Sequence, residues 1–353
     1  MNKRVCCFAL LMILLMVFLQ AFTAHAESNT QNALPIIDED YINPKALKVI
    51  NELKAKDLSD DQIAEELRKL GMYFIDPVTL KISEFRAQGL SDDQITEELE
   101  KLGMGWWPET GATWIGTSTT PEELAHMPPR IWPYSGIPLS SSLLNDLIQA
   151  GAVMETQEFA YTGVQNQMKP GSIAVSSGKT VFHVVTTHFG KPIGSLPKWT
   201  EVGVARDLND NPNIVRFFTY DNDEGGYVWH GEKANVETYD FYKIIIIGYS
   251  PTQGYTYNIF INGYWKRTGH LPYNLNMADQ ANEIWSETGQ WTSDSSYALH
   301  TLTYLQISSG TWKVWNSGIR TRFRQWPEPP PYPVKNRTTN DNVAYNYYTW
   351  VGP

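Results

Sequence analysis

Cysteine is almost absent from this 353-residue chain: the only two, Cys6 and Cys7, sit among its first seven residues. They fall in an apolar run over residues 5–19 that follows Lys3 and Arg4 and leads to Ala24-His25-Ala26. That order of charge, apolar stretch and small-x-small site reads as a secretory signal peptide over 1–26, too short and wrongly flanked to span a bilayer. The expected mature chain starts near Glu27, is secreted and carries no thiol. Disulfides, a cysteine nucleophile and cysteine-bound metals are thereby excluded, and stability must come from core size and packing.

Other absences narrow the function further. No later apolar run has the length of a membrane span; FYKIIIIGY (241–249) is strand-length, so no membrane insertion is expected after signal cleavage. There is no basic surplus. The formal charge of −10 falls to about −12 once Lys3 and Arg4 leave, which argues against nucleic acids and anionic membranes as partners. GxSxG, HExxH, Walker and dinucleotide signatures are all missing. His183 and His188 share one predicted strand at an odd offset, so they face opposite ways and cannot chelate one ion. DNDEGG (221–226) lacks the closing glutamate of a calcium loop and reads as a tight polar turn. No metal and no cofactor is expected.

What is present begins with a repeat. LSDDQIAEELRKLGM (58–72) recurs as LSDDQITEELEKLGM (90–104). Ser59 and Ser91 are N-caps with Gln62 and Gln94 three positions on, a capping box, and Gly71 and Gly103 close the helices. With helical stretches over 45–56 and 78–88, the spacing predicts two helical hairpins across 44–105, after a leader over 27–43. This small α-helical repeat module reads as an accessory module or as a pro-segment that inhibits the following domain intramolecularly. Residues 106–138, rich in proline and tryptophan, read as an extended connector, and 142–149 as a short helix.

From about residue 155 the hydrophobic period becomes two. Strands are predicted at EFAYTGV, GSIAVSS, TVFHVVTTHF, WTEVGVAR, NIVRFFTYD, FYKIIIIGYS, YTYNIFIN, ANEIWSE, YALHTLTYLQI and TWKVWN, with Asn262-Gly263 as a type I′ hairpin turn. Many strands without long intervening helices predict a mainly β fold, an antiparallel β-sandwich of jelly-roll or concanavalin-like type over 139–325. A proline-rich tail over 326–353 follows, with NRT at 336–338 as an N-glycosylation signal.

The remaining candidates for chemistry are carboxylates. In WTEVGV, Trp199, Glu201 and Gly203 share a face, and Gly203 leaves room beside the carboxyl. In ANEIWSE, Glu283, Trp285 and Glu287 share a face, and the two glutamates stand roughly 13 Å apart along the strand. They cannot pair with each other, but either could pair with Glu201. Parity alone leaves solvated surface glutamates as the alternative.

WTEVGVARDLNDNPNIVRFFTYDNDEGG and YNIFINGYWKRTGHLP…ADQANEIWSETG together resemble the neprosin-type glutamic endopeptidases, over roughly residues 155–316. In that family a catalytic glutamate precedes a small residue and glycine on a strand, and a second follows an "NG" turn and an aromatic strand. The resemblance implies Glu201 as the first catalytic glutamate and Glu287 as the second, with Glu283 selected if the match shifts by four residues. The paired glycines that precede the second glutamate in the family are Trp285 and Ser286 here.

The implied activity is hydrolysis of a polypeptide substrate at acidic pH. One glutamate, ionised, takes a proton from water while the other, protonated, supports the peptide carbonyl, without a metal or covalent intermediate. Trp199, Tyr220, Trp265 and Trp285 are candidates to line the substrate groove, with ordinary core packing as the alternative for each. The aromatic content also fits a carbohydrate-binding or glycoside-hydrolysing sandwich, and a non-catalytic cell-surface binding module.

Overall fold

The computed structural model describes residues 52, 53, 56, 76–119, 148–171, 181–191, 198–207, 214–224, 226–250, 252–286, 297–308, 310–326, 334–340 and 344–351. Residues 1–72 and 73–353 are two compact units, and every element below belongs to the second. The expected signal peptide, leader and first helical copy (58–72), the GSIAVSS strand beyond Gly171 and Glu287 lie outside the described residues.

The second unit is an antiparallel β-sandwich of two large sheets. One sheet runs through β1 (Met104–Trp107), β2 (Ala112–Ile115), β12 (Tyr264–Leu271), β11 (Gly254–Ile261), β10 (Asp240–Ser250), β5 (Tyr161–Lys169), β14 (Ala298–Ile307), β18 (Tyr345–Val351) and β17 (Val334–Asn340), with β15 (Trp312–Val314) beside β14. The other runs β16 (Thr321–Trp326), β4 (Ile148–Thr156), β13 (Met277–Ser286), β6 (Val181–Lys191), β7 (Lys198–Asp207), β8 (Arg216–Asp221), β9 (Gly226–Glu232) and β3 (Thr117–Ser118).

Strand periodicity decides what lies between the sheets. Val185 and Phe189 of β6, Val202 and Val204 of β7 and Met154 of β4 meet Val164 and Met168 of β5, Tyr242 and Ile244 of β10 and Tyr257 and Ile259 of β11 in one core. Burying each such side chain contributes about 1.5–3 kcal/mol. Because successive side chains alternate, the intervening residues of β6, β7 and β13 face away from the other sheet. Glu201, His188, Asp279 and Glu283 are among them.

Several elements differ from the sequence reading. GWWPETGATWIG is a β-hairpin (β1–β2) rather than an extended connector. It joins the first sheet through Arg267↔Trp114 and Thr268↔Thr113. Residues 148–149 begin a strand, not the end of a helix. The C-terminal stretch is not a free tail either, since β17 and β18 pair with each other and β18 pairs with β14. Asn336 of the NRT signal sits in β17 with its side-chain Nδ2 donating to the Arg324 carbonyl.

Helices α1 (Pro77–Ala87) and α2 (Asp92–Lys101) carry the second copy of the repeat. Ser91 caps α2 with the complete capping box that its sequence predicts. The pair does not close on itself. Val78, Ile82, Ile95 and Leu99 pack against Trp106 of β1 and Trp265 of β12. Asp76, the buried N-cap of α1, accepts from Thr79 and lies within 3.5 Å of Thr268 of β12. The Asn262-Gly263 turn between β11 and β12 has both residues at positive φ, 53° and 83°, as a type I′ turn requires.

Candidate functional site

Strand pairing aligns one transverse row across five neighbouring strands: Arg322 of β16, Glu155 of β4, Asp279 of β13, His188 of β6 and Glu201 of β7. Tyr220 of β8 continues it beyond Glu201. Each pair is a direct cross-strand neighbour, so the side chains on one face are brought within contact distance without any help from loops.

At the centre is the His188 imidazole. Its Nδ1 lies 2.5 Å from Asp279 Oδ1, and its Nε2 lies 3.2 Å from Glu201 Oε1 and 3.8 Å from Glu283 Oε1. Two glutamates against one nitrogen at 3.2 and 3.8 Å cannot have these oxygens farther apart than about 7 Å. Glu283 stands four residues along β13 from Asp279, roughly 13 Å, opposite Val184 of β6 and on the face that also bears Asp279. Trp199 Nε1 donates to Glu201 Oε1 at 2.9 Å.

The group is closed off from solvent: Glu201 and His188 are 1% exposed, Asp279 and Glu283 not at all. Burial pulls the His188 pKa down, but Asp279 and Glu201 on either side outweigh it and raise the value from 6.5 to about 10. The imidazolium is therefore the form that fits this site. Burial raises the Asp279 carboxyl above the ordinary range, opposed by His188. Burial likewise raises Glu155 to about 7, against the attraction of Arg322, with which it forms an ion pair.

Of the residues singled out in the sequence, Glu201, Glu283, Trp199, Tyr220 and Trp285 share this face. Tyr220 is half-buried, its ring 6.5 Å from Trp199 and 4.8 Å from Tyr227. Trp285 is buried against Phe182, 5.8 Å between rings. Trp265 is elsewhere. It lies in the other sheet, packs beneath the helix pair and donates from Nε1 to Thr268, so its role is structural. Glu287 lies outside the described residues, and Glu283 is the β13 glutamate placed beside Glu201.

Gly203 also has a different reason from the one expected. A Cβ there would come within 2.2 Å of the Val185 carbonyl, so the glycine lets β7 approach β6 closely instead of opening a cleft. The odd offset of the two histidines holds: His183 turns into the sandwich, where its Nε2 meets Asn282 Oδ1. Residues 221–224 form a tight polar turn, in which Asp221 Oδ1 accepts from the amides of Asp223 and Glu224 and Oδ2 accepts from Tyr257. No cluster of three or more metal-ligand side chains suited to an ion occurs among the described residues.

Sequence reasoning missed His188 and Asp279. A signal for the second was present: Asp279, Glu283 and Glu287 recur every four residues and so share a strand face. For His188 nothing local marks the pairing, because its register with β13 joins residues 91 positions apart.

No family model matches the chain, and no curated protein matches it. Among solved structures, it is similar to scytalido-glutamic peptidase with a peptide-based transition-state analog, at 10% identity and TM-score 0.37, over 57% of this chain and 98% of that one. It is similar to SCP-B, a member of the eqolisin family of peptidases in complex with the tripeptide Ala-Ile-His, at 9% identity and TM-score 0.34, over 57% and 98%. The Bacillus licheniformis β-glucanase aligns at 14% identity and TM-score 0.23, over 59% and 78%. At these scores the likenesses carry no argument about the reaction.

Proposed function

We propose that the protein is a secreted glutamic endopeptidase of neprosin-like type that hydrolyses peptide bonds with Glu201 and Glu283. One observation carries this reading: two glutamates from different strands, far apart in sequence, converge on one imidazole nitrogen on the same sheet face. A pair within about 7 Å leaves room for one water and one reacting carbonyl, the arrangement that acid–base hydrolysis needs.

The roles follow from the donors. Glu201 Oε1 faces two of them, the Trp199 indole and the His188 imidazole, and donors favour the ionised carboxyl. Glu201 is then the base that takes a proton from water as the oxygen attacks the carbonyl carbon. Glu283 is the acid that protonates the carbonyl oxygen. On collapse the leaving amine takes the proton held by Glu201, the C–N bond breaks, and Glu283 recovers its proton from the hydroxyl. Protons and atoms balance with no co-reactant.

The pair is closed in this state, so a latent form that opens before substrate enters is part of the proposal. Helices α1 and α2 share a core with Trp265, so removing a pro-segment that reaches residue 105 would expose that core. The test is hydrolysis of denatured casein by the purified chain across pH, before and after processing. Wild type should cleave; Glu201→Gln and Glu283→Gln, folded, should not. Full activity in either variant sinks the dyad.

The same carboxyl spacing also fits glycoside hydrolysis. A panel of β-glucans assayed alongside casein separates the two: turnover of the glucans with casein untouched would reassign the pair.

A further inference from the structure

We infer that His188, held from behind by Asp279, is a positioning residue that keeps Glu201 ionised and sets the lower pH limit of the reaction. This deepens the peptidase reading and rests on it for the kinetic test below, though not for the spectroscopic one.

The geometry is that of a fixed cation. Nδ1 is tied to Asp279 Oδ1 at 2.5 Å, which leaves Nε2 pointed between Glu201 and Glu283. A neutral imidazole could donate from only one nitrogen. Here carboxyl oxygens face both, so both nitrogens act as donors and the ring carries a proton. A carboxylate that faces a cation at this distance resists protonation. Glu283, at 3.8 Å, feels the same charge more weakly. The asymmetry is what a base and an acid require, since two equal carboxyls would share one proton without preference.

The surroundings have to be consistent with that charge. Among the described residues, the titratable groups that face His188 are Asp279 and Glu283 from β13 and Glu201 from β7. Glu155 from β4 stands one strand further, beside Asp279, and answers to Arg322 of β16. From the opposite sheet His300 of β14 feels the His188 charge, and its own pKa is held down, by burial first, to about 3. It stays neutral and hydrogen-bonded to Asn166. Carboxyls surround the imidazolium in the row, and the His300 ring behind it is neutral.

Asp279 is then more than a structural acid. Its Oδ1 fixes the ring orientation, while Oδ2 makes no hydrogen bond among the described residues. Replacing Asp279 by asparagine keeps the volume but removes the charge that favours the imidazolium, and the effect should reach Glu201 only through His188.

The experiment has two arms. First, ¹⁵N-detected imidazole NMR of the full chain at neutral pH should show His188 protonated at both nitrogens, and Asp279→Asn should return it toward a neutral tautomer. A neutral His188 in the wild type overturns the inference whether or not the protein is a peptidase. Second, the pH profile of kcat/KM on casein peptides is compared in wild type, His188→Gln and Asp279→Asn, each shown to be folded by its near-UV circular dichroism. The acid limb should move up by about 1–3 pH units in His188→Gln and by less in Asp279→Asn, with KM little changed. A uniform loss of rate with an unmoved acid limb assigns His188 a purely structural role and overturns the inference. Absence of any cleavage by the wild type rejects the peptidase reading and leaves the spectroscopic arm to decide.

Discussion

The indole Nε1–H of Trp199 donates to Glu201 Oε1 at 2.9 Å, from two positions earlier on the same strand. Residues i and i+2 of a strand point the same way, so this bond is built into β7 alone. The strand end is clamped in turn: the Trp199 amide donates to Asn222 Oδ1, and the Trp199 carbonyl accepts from the Asn222 amide. Trp199→Phe keeps most of the ring packing against Tyr220 and removes only the donor. A hydrogen bond to a charged group contributes about 1.5–3 kcal/mol, so kcat/KM should fall by roughly 10–100-fold, and melting temperature should fall too because the buried Glu201 carboxyl loses a donor. Steady-state kinetics on a casein peptide, with a thermal melt of the same preparation, checks both halves.

Stability depends on pH through buried groups that pull in opposite directions. Burial pushes His183, His230 and His300 down from 6.5 to about 3. Between those values the unfolded chain takes protons that the native state refuses, so stability falls as pH drops from about 6.5 toward 3. His188 works the opposite way. Its native pKa is raised from 6.5 to about 10, so its contribution is full below about 6.5 and is lost as pH climbs toward 10. Glu155, raised by burial from 4.5 to about 7, also loses stability with rising pH, between those two values. Burial also raises the Asp76, Asp221 and Asp279 carboxyls, which lose stability with rising pH in the same sense as Glu155. The signs are read by difference: His300→Gln should lessen the fall of melting temperature from pH 6.5 toward 3, and Glu155→Gln should lessen the fall from pH 4.5 toward 7. Melts of both variants and the wild type across pH check this, and an unchanged slope in either variant contradicts its assignment.

The helix pair is expected to be part of the folding unit. Leu99 is fully buried where α2 meets Trp106 and Trp265, and Asp76 caps α1 from a buried position. Leu99→Ala should cost about 2–5 kcal/mol and Asp76→Ala about 0.5–2 kcal/mol. Urea unfolding followed by tryptophan fluorescence measures both, because Trp106 and Trp265 report on that interface. A separate transition for the helices, with the sandwich midpoint unmoved, would show that they are an independent module.

How much of this was legible beforehand follows from which interactions are local. The long strands β6, β7 and β14, the capping box at Ser91 and the Asn262-Gly263 turn depend on residues within a few positions, and the sequence pattern shows them. The β1–β2 hairpin was hidden because Pro108 and the three tryptophans around it, Trp106, Trp107 and Trp114, look like an exposed connector until β12 supplies a partner for β2. The C-terminal strands were hidden for the same reason, since β18 is a strand only beside β14. Glu201 was legible because a glutamate in a β-branched run is anomalous. His188 was not, because a histidine in such a run has an ordinary explanation and its acidic neighbours arrive from 13 and 91 positions away.

The proposed pair uses Glu283, within β13, and not Glu287, which follows the strand. Position 283 pairs with Val184, and its carboxyl reaches His188, the residue opposite Glu201. Position 287 lies outside the described residues, and the proposed pair of Glu201 and Glu283 gives it no part in the reaction. Glu287→Gln should therefore leave kcat/KM within about twofold of wild type, whereas Glu283→Gln should lower it by a factor on the order of 10³ or more, as loss of a general acid does. The comparison is made on one substrate at one pH, with both variants verified as folded. An inactive Glu287→Gln beside an active Glu283→Gln would return the second catalytic role to residue 287 and detach His188 from the chemistry.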